Sequence, residues 1–262
     1  MAKTGFTVFA GVRKPPDGVC IASTHANIHS IILDVTDESS IKAAVAKVQQ
    51  FTAEQGLPFV AVVANAGICK EAPLEFLSMS DIRSTLEVNF FGAVALAQAF
   101  IPLARLHQGR MIFVSSFAGK VVWPEVGAYS ASKAALNAVA DALRIEVLHF
   151  GVSVSTIIPG AVSTAITAKR SEYRDSLHAA HLEIRKLYPA KPLAAVLKQS
   201  DRWAVSTMES DSAIVHSICS DFPKIEYFLG RVGSPLGAGI TCSILSLLPL
   251  RLSDFIKAKT YN

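Results

Sequence analysis

Tyr129 and Lys133 stand four residues apart at the start of the stretch GAYSASKAALNAVADALRIEV, residues 127–147. Its apolar residues recur at helical spacing, and on a helix positions i and i+4 share one face. A free phenol, with a pKa of about 10, exchanges protons poorly at neutral pH. A neighbouring ammonium favours the phenolate, lowers that pKa and suits the phenol to general acid/base work. Taken alone, such a pair more often means a packed tyrosine and a solvated lysine.

The pair is not alone. Ser116 closes the apolar run GRMIFVSS at 109–116, thirteen residues before Tyr129. Asn89 sits inside an otherwise apolar helical stretch, at VNFFG, where an unsatisfied amide would cost about 1–3 kcal/mol. Asn65, Ala66 and Gly67 close the run PFVAVVANAG, and Pro159 and Gly160 close VSVSTIIPG with Thr164 just beyond. If these runs are parallel strands, their carboxyl ends meet where ligands bind.

The elements that must position these residues alternate along the chain. Strand-like runs occupy residues 6–12, 28–35, 58–67, 109–116 and 152–160. Between them lie helical stretches: one capped by Thr36 and stopped by Gly56, one from Ser80, and the one carrying Tyr129 and Lys133. Near-continuous apolar strands taking turns with helices predict a doubly wound parallel-sheet α/β fold of Rossmann type. After Gly160 the alternation breaks into a charged, partly helical region, which predicts a lid over the ligand crevice.

Bulk properties narrow the classes further. An apolar content of 51% excludes disorder, and a net charge of +4 from scattered basic residues is no nucleic-acid footprint. Cys20, Cys69, Cys219 and Cys242 form no CxxC pair, so neither a metal site nor a disulfide framework is expected, and a reducing compartment is. Residues 232–250, VGSPLGAGITCSILSLLPL, carry no charge but hold three glycines and two prolines. They read as a helix buried in the protein or lying on a membrane surface rather than a span.

The motifs LDVTD (33–37), NAG (65–67), VNFFG (88–92), FVSS (113–116), YSASK (129–133) and PGAVST (159–164) occur in that order. Together they resemble the short-chain dehydrogenase/reductase family of NAD(P)-dependent oxidoreductases. The C-terminal third looks more loosely like the retinol, hydroxysteroid and hydroxybutyrate dehydrogenase branch. The resemblance implies that Tyr129 is the general acid/base, that Lys133 lowers its pKa and binds the nicotinamide ribose, and that Ser116 holds the substrate oxygen. It implies that Asn89 holds a water linking Lys133 to solvent. It places Asp34 and Val35 at the adenine, Asn65, Ala66 and Gly67 along the cofactor with Pro159 and Gly160, and Thr164 at the carboxamide. No metal is implied.

The family opens with a strand, a TGxxxGxG turn and a helix, whereas this chain opens MAKTGFTVFAG, which aligns with the end of that helix and the second strand. The expectation is an N-terminally truncated Rossmann-type domain, with the absent strand central in the family order 3-2-1-4-5-6-7. Three readings are open: an incomplete gene product, a short isoform that binds cofactor poorly, or substitution by the glycines 233, 237 and 239 of VGSPLGAG. Val12, Arg13 and Lys14 stand where an acid would select NAD, so Arg13 tilts the choice between NADP and NAD toward NADP.

One domain spans 1–262: a core to 160, a lid region at 161–225, and a last strand and helix at 226–262. The expected reaction interconverts a secondary alcohol and a ketone on an apolar steroid-, retinoid- or lipid-like substrate. Phe90, Phe91, Phe117, Trp123, Tyr188 and Trp203 are candidates for its pocket. The expected setting is a homodimer or homotetramer, cytoplasmic or peripheral on an intracellular membrane. The alternative is a cofactor-deficient relative acting as a non-catalytic binding or membrane-associated protein.

Overall fold

The structure, a computed structural model, describes residues 1–160, 162, 165–188, 206–230, 238–249 and 251–254. Its described strands are all parallel and fall into two sheets. The first pairs β1 (Val8–Val12) with β2 (Ile28–Ile32). The second has the order β3 (Ala61–Ala64), β4 (Arg110–Val114), β5 (Ser153–Pro159) and β6 (Glu226–Leu229). The division falls between β1 and β3, where the resemblance puts the absent central strand.

One apolar cluster nevertheless serves both sheets. Ile31 of β2, Ala64 of β3 and Met111 and Phe113 of β4 share it with Phe9 of β1. Helices α2 (Glu38–Gln55), α4 (Gly92–His107) and α5 (Gly127–Glu146) cover this face. Ile112, between Met111 and Phe113, points the other way, as strand alternation requires. It packs with Ala213 and Ile218 of α8 (Thr207–Cys219). Met1 and Phe6 lie in that second cluster beside Val60 and Val63, while Asn27 donates to the carbonyls of Ala2 and Phe6 at 2.8 and 2.7 Å. The N-terminal turn thus ties the two sheets together.

Local chemistry explains where the elements end and where sequence expectations shift. The cap of α2 is Asp37, whose carboxylate accepts from Ser39 N–H at 2.9 Å, rather than Thr36. Gly56 ends that helix at φ 61°, a left-handed conformation that glycine adopts without strain. The stretch after Arg13, to which the sequence pattern assigns no element, is α1 (Pro15–Ala22), with proline in its first turn and Asp17 following. The long helix starts at α3 (Met79–Leu86), capped by Ser78, and continues through a π-helical turn, Glu87–Phe91, into α4. This helical stretch is apolar and long enough to cross a membrane, yet its α4 side chains Leu96, Phe100 and Leu103 are buried in the shared core. After β5 lie α6 (Ala165–Ala180) and α7 (Leu182–Leu187), and after β6 comes α9 (Ala238–Leu247). Thr164, Trp203, Gly233 and Gly237 lie outside the described residues.

Candidate active site

Asn89 occupies the π-helical turn and is fully buried. Such turns recur at functional sites because the extra residue re-aims a side chain. The Asn89 amide clasps one residue of the loop after β3: Oδ1 accepts from Ile68 N–H at 2.8 Å, and Nδ2 donates to Ile68 O at 2.9 Å. Nδ2 also donates to Ser132 Oγ at 3.0 Å, and Ser132 Oγ donates to the Tyr129 carbonyl at 2.7 Å. A polar residue inside an apolar helix is therefore satisfied by joining the β3 loop to the first turns of α5.

Lys133 is buried, at 3% exposure, one helical turn beyond Tyr129. Its Nζ donates to the Val114 carbonyl at the end of β4, at 2.8 Å, and lies 5.9 Å from the centre of the Tyr129 ring. Burial pulls the ammonium down from 10.5 to about 8, and the nearby Cys69 acts in the opposite direction. Tyr129 itself is partly exposed. The ring and the ammonium thus share a helix face, with the charge at the carboxyl end of β4.

Ser116, also partly exposed, opens the tight turn Phe117–Gly119, and its Oγ accepts from Ala118 N–H at 3.2 Å. That leaves the hydroxyl proton to be given to another oxygen. The turn presses on α5. A Cβ at Gly119 would lie 2.8 Å from the Lys133 carbonyl carbon and 3.0 Å from Asn137 Nδ2, which itself donates to the Gly119 carbonyl at 3.2 Å. Gly119, Ser132 and Asn137 escape sequence reading because their partners are distant in the chain, although a glycine three residues after a strand-end serine is a turn signal. Phe117 and Val121 pack with Cys242 of α9, and Trp123 and Phe228 lie against them, so an apolar wall begins immediately after Ser116.

The remaining candidates distribute as follows. Asn65 and Ala66 are exposed at the end of β3. A Cβ on Gly67 would stand 3.5 Å from Asn89 Oδ1 and 3.6 Å from Lys133 Nζ, so Gly67 forms the floor between them. Pro159 ends β5, and Gly160 N–H bonds to Leu229 O at 3.0 Å. The Asp34 carboxylate accepts from Thr36 N–H and Oγ–H at 2.9 and 2.7 Å. Those bonds hold its pKa down, with a smaller contribution from the exposed Arg13. Val35 is buried against Gly92, where a Cβ would meet its Cγ2 at 2.6 Å. Phe91 is 53% exposed, which removes it from any closed pocket, and Tyr188 reaches Glu75 at 2.8 Å. No cluster of metal-ligating side chains occurs among the described residues.

These groups fit half of a dinucleotide. The Lys133 ammonium retains donors beyond the one given to Val114 O, above a glycine floor, and suits ribose hydroxyls at the carboxyl ends of β3 and β4. For the pyrophosphate the fit is poorer: among the described residues no glycine-rich turn leads from a strand into a helix, and after β1 the chain reads Arg13-Lys14-Pro15.

The same order of elements recurs in known proteins. Residues 1–175 match the short chain dehydrogenase family, and the chain belongs to that family of NAD(P)-dependent oxidoreductases. It is 33% identical to 3-amino-tetrahydro-pyrrolizinone reductase of Xenorhabdus hominickii, over 88% of this chain and 80% of the relative. It is also 33% identical to estradiol 17-beta-dehydrogenase 2 of Mus musculus, over 99% of this chain and 69% of the relative. A short chain dehydrogenase from Burkholderia cenocepacia, solved in complex with NADP, shares the fold with a TM-score of 0.68 and 21% identity, covering 98% of this chain and 86% of its own.

The pressed turn yields a paired prediction. Gly119→Ala forces α5 and the Ser116 turn apart and should cost about 1–3 kcal/mol of stability. Gly127→Ala, where a Cβ meets nothing within 4 Å, should be neutral or stabilising by up to about 1 kcal/mol. Urea unfolding of both variants reads the difference; equal midpoints would show that the turn does not bear on α5.

Proposed function

We propose that this chain interconverts a secondary alcohol and a ketone on an apolar, steroid-like substrate, using NADP in preference to NAD. The supporting observation is the convergence of Tyr129, Lys133 and Ser116 at the strand ends, next to the apolar wall of Phe117, Val121 and Cys242. The relative named for estradiol accords with such a wall. Exposed Arg13 at the end of β1 suits a 2′-phosphate and supports NADP.

When bound, the nicotinamide supplies or accepts the hydride. In reduction, Tyr129 gives its phenolic proton to the carbonyl oxygen; in oxidation, it takes that proton back from the alcohol. Ser116, its lone pair held by Ala118 N–H, turns its proton toward the same oxygen as charge develops there. The Lys133 charge favours the phenolate and, through its remaining donors, holds the ribose. Asn89 fixes the loop of Asn65, Ala66 and Gly67 along the cofactor, and a water between its Oδ1 and Lys133 Nζ relays the proton. Asp34 and Val35 bind the adenine end, and Pro159 and Gly160 lie along the cofactor. The joint presence of Tyr129, Lys133, Ser116 and Asn89 favours this enzyme over a cofactor-deficient binding protein.

Helix α9 supports a reading of its setting. Cys242 and Leu245 of that helix face the wall beside Ser116, while Ile240, Ile244 and Leu247 point outward, exposed by 56, 45 and 84%. That spacing forms one apolar stripe, with Arg251 just beyond. Such a face rests peripherally on a lipid surface of an intracellular membrane, where an apolar substrate is concentrated. The outer face of α5, with exposed Ala131, Ala134 and Ala138, supports pairing into a homodimer or homotetramer.

Fluorescence titration should show NADPH binding more tightly than NADH. With NADP and an apolar hydroxysteroid, Tyr129→Phe should lower turnover about 10²–10⁴-fold and leave nucleotide affinity in place. Unchanged turnover removes Tyr129 from its role, and binding of neither nucleotide leaves the non-catalytic alternative. Sedimentation with phosphatidylserine-containing vesicles tests the setting: Leu247→Glu should reduce the bound fraction several-fold, and equal binding by both proteins contradicts a role for α9.

A further inference from the structure

Two carboxylates outside the catalytic group tie α6 to the loop that Asn89 clasps. Glu71, three residues after Ile68, is fully buried, and its Oε1 accepts from Arg174 Nη1 of α6 at 3.3 Å. Asp81 of α3 accepts from Tyr173 Oη of the same helix at 2.9 Å and pairs with Lys70, the neighbour of Glu71. Tyr173 and Leu177 also pack on Ala72, Leu77 and Ala128, the last of these adjoining Tyr129. Ala72 N–H bonds to Glu125 O at 2.9 Å, two residues before α5 begins. One helix of the lid region therefore holds both walls of the site: the β3 loop through Lys70 and Glu71, and the start of α5 through Ala128.

We infer that α6 is a latched cover and that Glu71 and Asp81 are positioning residues, coupling the seating of α6 to the Asn89–Ile68 clasp. Release of the latch opens the mouth and loosens the cofactor-side wall in one motion. Ligand exchange and assembly of the site are thereby linked through side chains outside the group assigned to catalysis. The linkage to turnover rests on the oxidoreductase reading, whereas the coupling itself is a property of the ligand-free chain.

Amide hydrogen exchange on the full chain, without nucleotide or substrate, tests the coupling separately from that reading. The reporters are the N–H groups of Ile68 and Ala72, bonded to Asn89 Oδ1 and Glu125 O, with Ile112 of β4 as the reference. In Arg174→Met, exchange at α6, Ile68 and Ala72 should rise at least tenfold while Ile112 holds, and Arg174→Lys should restore much of the protection. Tyr173→Phe, which removes a single hydroxyl, should produce the same pattern to a smaller degree and serves if Arg174→Met does not fold. Faster exchange confined to α6, or an equal rise at Ile112, overturns the inference.

Discussion

An ammonium held out of water at the end of a β-strand is the constraint on which the rest of the site depends. Lys133 is buried and meets the carbonyl of Val114, which ends β4 and precedes the serines at 115 and 116. A buried cation is costly unless neighbouring dipoles compensate it. Its surroundings are correspondingly fixed: the Gly119 turn leaves no room for a side chain beside it, and Ser115 Oγ donates to its carbonyl at 3.4 Å. A group so placed presents a positive field to Tyr129 and to the space over Gly67, without a flexible stem that water could reorient. The chemistry of the family then follows from where the strands end rather than from any single side chain.

The divided sheet shows what that arrangement does and does not require. The candidate catalytic residues stand on the turn after β4, on α5 and on the π-helical turn, so they come together without a strand between β1 and β3. Arg13 and Asp34, the groups proposed for the adenine end, follow the two strands of the smaller sheet. The two halves meet in one apolar cluster through Phe9, Ile31 and Phe113, which keeps both sets of strand ends on the same side. The nicotinamide-ribose half of the site is thus better defined by the described residues than the pyrophosphate half.

Much of this was legible in the sequence, for physical reasons. Asn89 and Ser116 stand out because a polar residue in or at the end of an apolar run must find a partner, and Tyr129 and Lys133 because helical spacing sets them together. The strands at 58–67 and 109–116 could be placed because covered parallel strands are apolar on both faces, although the paired lengths are shorter, Ala61–Ala64 and Arg110–Val114. The α1 helix was missed because Pro-Pro-Asp-Gly has the composition of a turn, and only its proline at the first helical position distinguishes it. The charged stretch around Tyr173 and Arg174 reads only as a lid region; the burial of its partner Glu71, about a hundred residues away in the chain, is a tertiary fact that no local pattern carries. The same holds for Gly119, whose constraint comes from the backbone of α5.

The most direct test of this account is the ionisation of Lys133, followed through its side-chain NMR resonances in the folded protein. Burial predicts a midpoint at about pH 8, below the 10.5 of an ordinary lysine. Between those values the unfolded chain binds the extra proton, so stability relative to Lys133→Met should rise with pH across that window. The full cost of the buried charge should be present below about pH 8. A midpoint at the ordinary lysine value, with a pH-independent stability difference, would mean that the ammonium is solvated and would contradict the account.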